Sequence, residues 1–238
     1  MISIVIIDFP TSLLVYKFFD FIPSARVFVN YLNISLNPYI GSMRRKRDRQ
    51  DYYYWQAKKL GYRSRAAFKL LQMNRTFKLI REGDWVLDLG ASPGGWSQVA
   101  VELGARVVAV DVNPMKPIEG VEFVRGDITD EETAKRIEEV RKEFDVVLSD
   151  ASPKITGKWT IDHLLSVDLA RAAFGMARRF LKEGGCFVVK VFQGEEIRNL
   201  FDEFKPYFRF KKFHSPKASR KSSAEIYFVG KGFRRVNL

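Results

Sequence analysis

The chain has 238 residues, of which 46% are hydrophobic, and it carries a formal net charge of +12. This length suits one domain of about 200 residues with terminal extensions, and the apolar fraction is sufficient for a buried core. The single cysteine, Cys186, excludes an internal disulfide framework and fits a reducing compartment. With one cysteine and two histidines, a metal-dependent enzyme is not expected, and His163 and His214 are interpreted as structural or surface residues.

Residues 1–42 differ in character from the rest of the chain. An apolar run from Ile2 to Ile7 is soon interrupted by charged residues and proline, so it falls short of the roughly 20 residues that cross a bilayer. It also lacks the basic region that precedes a secretory signal, and we therefore expect a cytoplasmic protein without a membrane segment. Two interpretations of this N-terminal extension stay open. It packs on the domain as an added segment, or translation begins at Met43, which we favour because the globular pattern starts there.

The positive charge is concentrated in two segments. Met43 to Arg81 contains 13 Lys or Arg and two acidic residues, and the stretch from Lys205 onwards contains ten and one. Such polarisation is typical of proteins that bind a phosphate backbone. We predict that residues 43–62 form a basic aromatic RNA-binding arm, in which Tyr52 to Trp55 either stack on bases or pack on the domain. The arginines expected to contact RNA are Arg44, Arg45, Arg47, Arg49, Arg63 and Arg65.

The next predicted element is a helix that starts after Ser64, a plausible N-cap residue. Phe68 and Leu71 supply the apolar face that anchors this helix to the domain. Lys69 is then held in a defined position. A helical lysine is more often a solvated surface residue, so this segment alone does not assign it a role.

A glycine-rich stretch from Trp85 to Trp96 is predicted to form a strand, a turn and the start of a helix. Gly90, Gly94 and Gly95 allow positive φ and a close approach of the backbone to a ligand. Their spacing is Gly-x-x-x-Gly-Gly instead of the dinucleotide pattern Gly-x-Gly-x-x-Gly, and Pro93 removes a backbone donor from the turn. A phosphate group is therefore not the expected ligand.

The following strand, Ala105 to Val110, leads to Asp111, which lies 23 residues after Asp88. An acidic residue at this position can accept hydrogen bonds from ribose hydroxyls. Together with the glycine-rich turn, it favours a nucleoside without a phosphate cradle. S-adenosylmethionine is the common ligand of this kind.

Beyond Asp111 strands and helices alternate, which predicts an α/β fold with a parallel sheet and helices on both faces. The last two strands have no helix between them, so one of the seven expected strands should be antiparallel. The predicted strands are 121–125, 144–149, 186–191, 208–213 and 224–229, and the predicted helices are 97–103, 129–141, 161–181 and 195–204.

Charged residues mark the expected carboxyl edge of this sheet. Asp111, Asp127 and Asp150 each follow a strand, where Asp is also common in turns. Lys190 interrupts an apolar strand, and a buried ammonium group requires a partner, for which Asp150 is the natural candidate. Glu225, at the start of the last strand, can bring a second carboxylate to the same place.

Five ordered segments resemble the FtsJ-type ribose 2′-O-methyltransferases, most closely the ribosomal RNA large-subunit methyltransferase E group. The resemblance covers about Asp51 to Lys231 in order, and the segments are 63–70 (RSRAAFKL), 88–98 (DLGASPGGWSQ), 148–153 (LSDASP), 187–194 (FVVKVFQG) and 222–227 (SSAEIY). The resemblance implies a Rossmann-like class I methyltransferase fold and a catalytic tetrad of Lys69, Asp150, Lys190 and Glu225. It also implies S-adenosylmethionine contacts at Gly94, Trp96, Asp111, Asp127 and Asp150, and no metal. Residues 1–42 lie outside the pattern.

The implied activity is methylation of a ribose 2′-hydroxyl, with a uridine of large-subunit ribosomal RNA as the expected substrate and a monomer as the expected form. Lys190 is the predicted proton acceptor, although the same residues could orient the hydroxyl while water takes the proton. Burial and the nearby Lys69 oppose the charged form of Lys190, whereas Asp150 and Glu225 favour it. Three alternatives remain: a transfer RNA substrate, a non-catalytic RNA-binding assembly factor, and a Rossmann-type oxidoreductase.

Overall fold

The computed structural model describes residues 48–220 and 223–236. The proposed extension 1–42 and the first residues of the predicted arm lie outside these ranges. The helices are α1 (Asp48–Leu60), α2 (Ala67–Phe77), α3 (Gly95–Glu102), α4 (Glu131–Val140), α5 (Trp159–Phe180) and α6 (Ile197–Phe204). The strands are β1 (Trp85–Leu89), β2 (Arg106–Asp111), β3 (Val121–Arg125), β4 (Phe144–Ser149), β5 (Leu181–Phe192), β6 (Phe208–His214) and β7 (Glu225–Phe233).

The strands form one seven-stranded sheet in the order β3-β2-β1-β4-β5-β7-β6. Strand β7 pairs antiparallel with both β5 and β6, while the other pairs are parallel. The predicted α/β fold with one antiparallel strand is therefore confirmed. Because the strand order reverses between β1 and β4, the carboxyl ends of these two strands border the crevice where such sheets bind ligands.

The core lies between the sheet and its helices. Its residues occupy the apolar positions of these strands and helices. Strands β1, β2 and β4 are buried along most of their length, as expected for parallel strands covered on both faces. An aromatic cluster closes the β6–β7 side of the sheet, with Phe187, Phe204, Phe208 and Phe228 all fully buried. Their ring centroids lie 5.3–6.3 Å apart, within the range of favourable aromatic contacts.

Two local predictions need correction. The cap of α2 is Ala66, not Ser64, and it makes no side-chain hydrogen bond to the helix. Strand β5 begins at Leu181, five residues before the predicted start, directly where α5 ends. The segment Lys182 to Gly185 reads as a turn because it is polar and contains two glycines, yet Phe144 pairs with Leu181, and the register shifts between Phe144 and Val146.

No helix within the described ranges is both long and apolar enough to cross a membrane.

Candidate active site

The glycine-rich turn between β1 and α3 is shaped by close contacts that leave no room for side chains. Gly90 has a φ of +75°, and a Cβ there would lie 2.5 Å from the Cβ of Ala151, in the loop after β4. Gly94 has a φ of +106° and is the N-cap residue of α3. A Cβ at Gly95 would lie 2.2 Å from the hydroxyl oxygen of Ser64. The turn therefore brings its backbone against the segments that follow β4 and precede α2.

Two of the predicted cofactor acids hold loops at the carboxyl edge of the sheet. One carboxylate oxygen of Asp111 accepts the backbone N–H of Ser92 at 2.9 Å, and the other accepts that of Asn113 at 2.7 Å. Asp127 accepts the backbone N–H of Thr129 at 2.9 Å. The contacts with Asn113 and Thr129 are turn contacts of the kind that Asp makes locally, whereas the contact with Ser92 joins Asp111 to the glycine-rich turn. A cofactor role for either residue stays a prediction.

The sequence reading did not single out Asp88, which is 1% exposed within β1. Its Oδ2 accepts the Ser97 hydroxyl at 2.6 Å, but its Oδ1 has no hydrogen-bond partner among the described residues. Burial, with added repulsion from Asp150 and Asp111, raises the pKa of Asp88 to about 7. The sequence does indicate that Asp88 is unusual, because this acidic residue interrupts the apolar run Trp-Val-Leu-Asp-Leu.

The four residues of the predicted tetrad meet in one cluster. The ammonium group of Lys69 lies 2.8 Å from a Glu225 carboxylate oxygen, and that of Lys190 lies 3.3 Å from Oδ1 of Asp150. The crossed pairs, Lys69 with Asp150 and Lys190 with Glu225, are each 3.8 Å apart. Lys190 also donates to the backbone carbonyl of Asp150 at 2.8 Å. Two cations and two anions therefore alternate within a mostly buried site.

Tyr227 joins the cluster and is a second residue that the sequence reading missed. Its hydroxyl donates to Oδ1 of Asp150 at 2.7 Å and accepts a hydrogen bond from Lys69 at 2.9 Å. Burial and the adjacent carboxylates of Asp150 and Glu225 raise the pKa of Tyr227 well above its usual value, so the phenol keeps its proton. The position of Tyr227 two residues after Glu225 in β7 was the available signal, because alternate strand residues share a face.

Comparison with known proteins agrees with this arrangement. The family described as FtsJ-like methyltransferase matches residues 62–233. The chain belongs to the FtsJ-like methyltransferase family. It is 74% identical over 190 residues to the ribosomal RNA large subunit methyltransferase E of Archaeoglobus fulgidus, covering 80% of this chain and 100% of that protein. The enzyme of the same name from Wolbachia pipientis is 48% identical, covering 77% of this chain and 95% of that protein.

Solved structures show the same fold. A Plasmodium falciparum protein described as a ribosomal RNA methyltransferase superposes with a TM-score of 0.66 at 30% identity, covering 72% of this chain and 98% of that one. A Lactococcus lactis protein described as a hemolysin has a TM-score of 0.54 at 18% identity, covering 72% of this chain and 90% of the other. At that identity the likeness concerns the fold alone. Membership in a methyltransferase family argues against the oxidoreductase alternative.

The edge of the sheet in this methyltransferase fits S-adenosylmethionine chemically. Oδ1 of Asp88, which has no hydrogen-bond partner in residues 48–220 and 223–236, lies near a turn in which Gly90 and Gly94 keep the backbone free of side chains. Carboxylate acceptors suit the hydroxyl and amino groups of a nucleoside and an amino acid, and they suit a positively charged ligand. The indole of Trp96 is buried, donates to the carbonyl of Ala66 at 2.9 Å and packs near Tyr227, and a cofactor contact of this residue stays a prediction.

The predicted RNA contacts divide into two groups. Arg44, Arg45 and Arg47 precede the described residues, and although Arg49 lies in α1, its side chain is outside the description. The guanidinium of Arg63 donates to the carbonyls of Pro93, Lys116 and Pro117, so it ties the glycine-rich turn to the loop after β2. That of Arg65 donates to the carbonyl of Ala218 at 2.8 Å. Direct contact of RNA by any of these arginines stays a prediction.

The two histidines have the structural surroundings that were expected. Nδ1 of His163 lies 2.9 Å from the carbonyl of Phe192, and its Nε2 accepts the backbone N–H of Glu196 at 3.1 Å. His214 packs edge-on against Phe77, and burial lowers its pKa. Within residues 48–220 and 223–236, no group of three or more His, Cys, Asp or Glu side chains could hold a metal ion.

Proposed function

We propose that this methyltransferase transfers a methyl group from S-adenosylmethionine to a ribose 2′-hydroxyl of RNA, at a uridine of large-subunit ribosomal RNA. The observation that carries the proposal is the cluster of Lys69, Asp150, Lys190, Glu225 and Tyr227 at the carboxyl edge of the sheet. It lies beside the glycine-rich turn, since Ala151 follows Asp150 and contacts Gly90.

The reaction places two demands on the chain. A ribose hydroxyl is a weak acid, so it must lose its proton as the new oxygen–carbon bond forms, and the reacting atoms must be held in line. When bound, S-adenosylmethionine supplies an electrophilic methyl group on a sulfonium. The chain supplies the groups that bind the hydroxyl, orient it and receive its proton.

Lys190 is the proposed proton acceptor, and its two short contacts define its position. Its ammonium nitrogen lies within contact of the carbonyl and the carboxylate of Asp150, at the end of β4. Lys69 is held by Glu225 and Tyr227 in the same way.

The identity of the substrate rests on the relatives and on charge. Relatives that match the chain over most of their length are named for large-subunit ribosomal RNA. The excess of basic residues between Met43 and Arg81 and after Lys205 suits an RNA ligand, and it suits action in the cytoplasm where ribosomal RNA is present. Transfer RNA carries the same ribose chemistry and remains the second candidate substrate. The intact cluster argues against a non-catalytic assembly factor.

The test is Lys190→Met, which keeps the volume of the side chain and removes its nitrogen. We expect turnover to fall by roughly 10²- to 10⁴-fold, the usual contribution of general-base catalysis, with cofactor and RNA binding preserved. The matched control is Lys182→Met, because Lys182 lies in the same strand and pairs with Asp145 at 2.7 Å, away from the cluster. This control should retain its turnover.

The measurement is transfer of labelled methyl groups from S-adenosylmethionine to large-subunit and transfer RNA from cells that lack the protein, with the modified ribose mapped. If Lys190 only neutralises Asp150, the Met variant should lose about 3–5 kcal/mol of stability without a specific loss of transfer. Near-normal turnover in a folded Met variant would remove Lys190 from the mechanism and leave Lys69 as the candidate base. Absence of any RNA methylation by the unaltered protein would contradict the proposed function.

A further inference from the structure

An exposed apolar patch lies at the start of α5, outside the site described above. Of the ten large hydrophobic residues that are exposed in the described ranges, five fall within residues 155–165. We call them the rim patch: Ile155, Trp159, Ile161, Leu164 and Leu165, with exposures of 40–59%. Single exposed apolar residues are common, whereas a concentration of them within eleven residues marks a candidate binding surface.

Buried polar side chains hold the rim patch against the catalytic edge of the sheet. Asp162 accepts the backbone N–H groups of Thr156 and Gly157 at 2.7 and 3.1 Å, which pins the loop that follows Asp150. His163 contacts the carbonyl of Phe192, the last residue of β5 and two residues beyond Lys190. The start of α5 is therefore tied both to the segment after Asp150 and to the strand that carries Lys190.

Trp159 is the aromatic residue of the rim patch. It precedes His163 by four residues, so the two side chains lie on the same side of the helix one turn apart. Since His163 contacts the end of β5, Trp159 extends beyond that strand end, and 54% of its surface is exposed. Two exposed lysines, Lys154 and Lys158, flank it in sequence, and no ion pair within the described part of the chain engages either one.

We propose that Trp159, with Lys154 and Lys158, forms a stacking platform for a nucleobase next to the nucleotide whose ribose enters the cluster. This proposal rests on the proposed RNA substrate. An indole surface stacks on bases of any sequence, and lysines neutralise the adjoining phosphates. RNA is favoured over a protein partner because the patch borders the reacting site, where substrate must lie, and because cations flank its aromatic residue.

The test compares three substitutions in the full chain. Trp159→Ala should weaken RNA binding by roughly 5- to 150-fold, the equivalent of about 1–3 kcal/mol of stacking, with cofactor affinity unchanged. Trp159→Phe should restore most of the affinity because it keeps an aromatic face. Leu164→Ala removes a comparable exposed side chain from the same patch and should bind RNA as the unaltered protein does, since an aliphatic group cannot stack.

Dissociation constants are measured on a protein-free transcript of large-subunit ribosomal RNA and on large ribosomal subunits from cells lacking the protein. Changing Lys154 and Lys158 to Ala should reduce the slope of log affinity against log salt by about 1.4, whereas Trp159→Ala should leave that slope unchanged. Binding is recorded separately from methyl transfer. If the unaltered protein transferred no methyl groups, the proposed function would be contradicted. The ratio of the dissociation constants of Trp159→Ala and the unaltered protein would still test the stacking platform.

Two results would overturn the stacking platform. One is equal RNA affinity for Trp159→Ala and the unaltered protein on both substrates. The other is a loss confined to ribosomal subunits and shared by Leu164→Ala, which would show that the rim patch docks a protein.

Discussion

At the scale of single residues, the cluster depends on one hydroxyl as well as on four charges. Tyr227 is the group that contacts both Lys69 and Asp150, at 2.9 and 2.7 Å. Because its raised pKa keeps the phenol protonated, it donates to Asp150 without adding a negative charge. Tyr227 is thus a positioning residue for the carboxylate that holds Lys190.

Tyr227→Phe removes this hydroxyl and little else. We expect kcat to fall on the order of 10-fold while KM for RNA and cofactor stays near its original value, because the loss affects alignment and not binding. The free energy of unfolding should fall by about 1–3 kcal/mol, which is the contribution of a buried hydrogen bond to a charged group. Steady-state kinetics measure kcat and KM, and urea unfolding measures the free energy of unfolding. A fall in stability with an unchanged kcat would make the role of Tyr227 purely structural.

The raised pKa of Asp88 predicts that the stability of the protein depends on pH. Its pKa is about 7 in the folded protein against an ordinary value of 3.8, so the folded state binds the proton more tightly than the unfolded state does. The stabilisation of the folded state by the proton on Asp88 is therefore fully present below about pH 4. It is lost as the pH rises through 7. Asp88→Asn cannot titrate.

Between pH 5 and pH 8 the free energy of unfolding of the unaltered protein should fall by about 2–3 kcal/mol relative to that of Asp88→Asn. Other titrating groups are common to both proteins and cancel in the difference. Urea unfolding at the two pH values measures it. A difference that does not change with pH would show that Asp88 titrates normally.

At the scale of elements, Ser64 and Gly95 illustrate how two distant motifs fit together. Ser64 precedes α2 and does not cap it, while Gly95 is the first residue of α3. The space that a Cβ at Gly95 would occupy is filled by the Ser64 hydroxyl. The contact sets the distance between the helix that carries Lys69 and the glycine-rich turn.

Gly95→Ala should destabilise the protein by about 1–3 kcal/mol, because its methyl group would overlap the Ser64 hydroxyl at 2.2 Å. The double variant Ser64→Ala with Gly95→Ala should recover most of this loss, since the remaining neighbours of the new Cβ lie at 3.4 Å or more. Thermal unfolding of the single and double variants provides the comparison. Equal destabilisation in both would mean that another contact excludes a side chain at Gly95.

At the scale of the whole molecule, the charge distribution separates binding from chemistry. The two lysines and two carboxylates of the cluster cancel in formal charge, so the net charge of +12 comes from residues outside it. Long-range attraction of RNA is therefore expected to depend on the basic segments. The chemistry at the cluster should be less sensitive to salt.

Changing Arg44, Arg45, Arg47 and Arg49 together to Ala should weaken RNA binding and reduce the slope of log affinity against log salt by up to about 3. Cofactor affinity should not change. Lys135→Ala with Lys142→Ala is a suitable control, because both lysines are exposed and lie outside the two basic segments. Titrations at several salt concentrations measure the slopes. An unchanged slope would show that the arginines form only a solvated arm.

The sequence by itself predicted the alternation of strands and helices from Trp85 onwards, but not the helix α1, and the family resemblance named the four charged residues that meet in the cluster, but not Tyr227. The bounds of β3 and β4 match the prediction, because turn residues flank both the partly exposed edge strand β3 and the buried apolar strand β4. Lys190 and Asp150 could be paired in advance because the carboxyl ends of neighbouring parallel strands meet at one edge.

Only the tertiary structure decided the contacts between distant segments. Lys69 and Tyr227 are 158 residues apart, and the Ser64 hydroxyl fills the space at Gly95 through packing that no periodicity encodes. The burial of Asp88 and the early start of β5 have the same origin. Local patterns reflect the apolar periodicity of one element, whereas these features depend on how side chains from different elements fill a shared space.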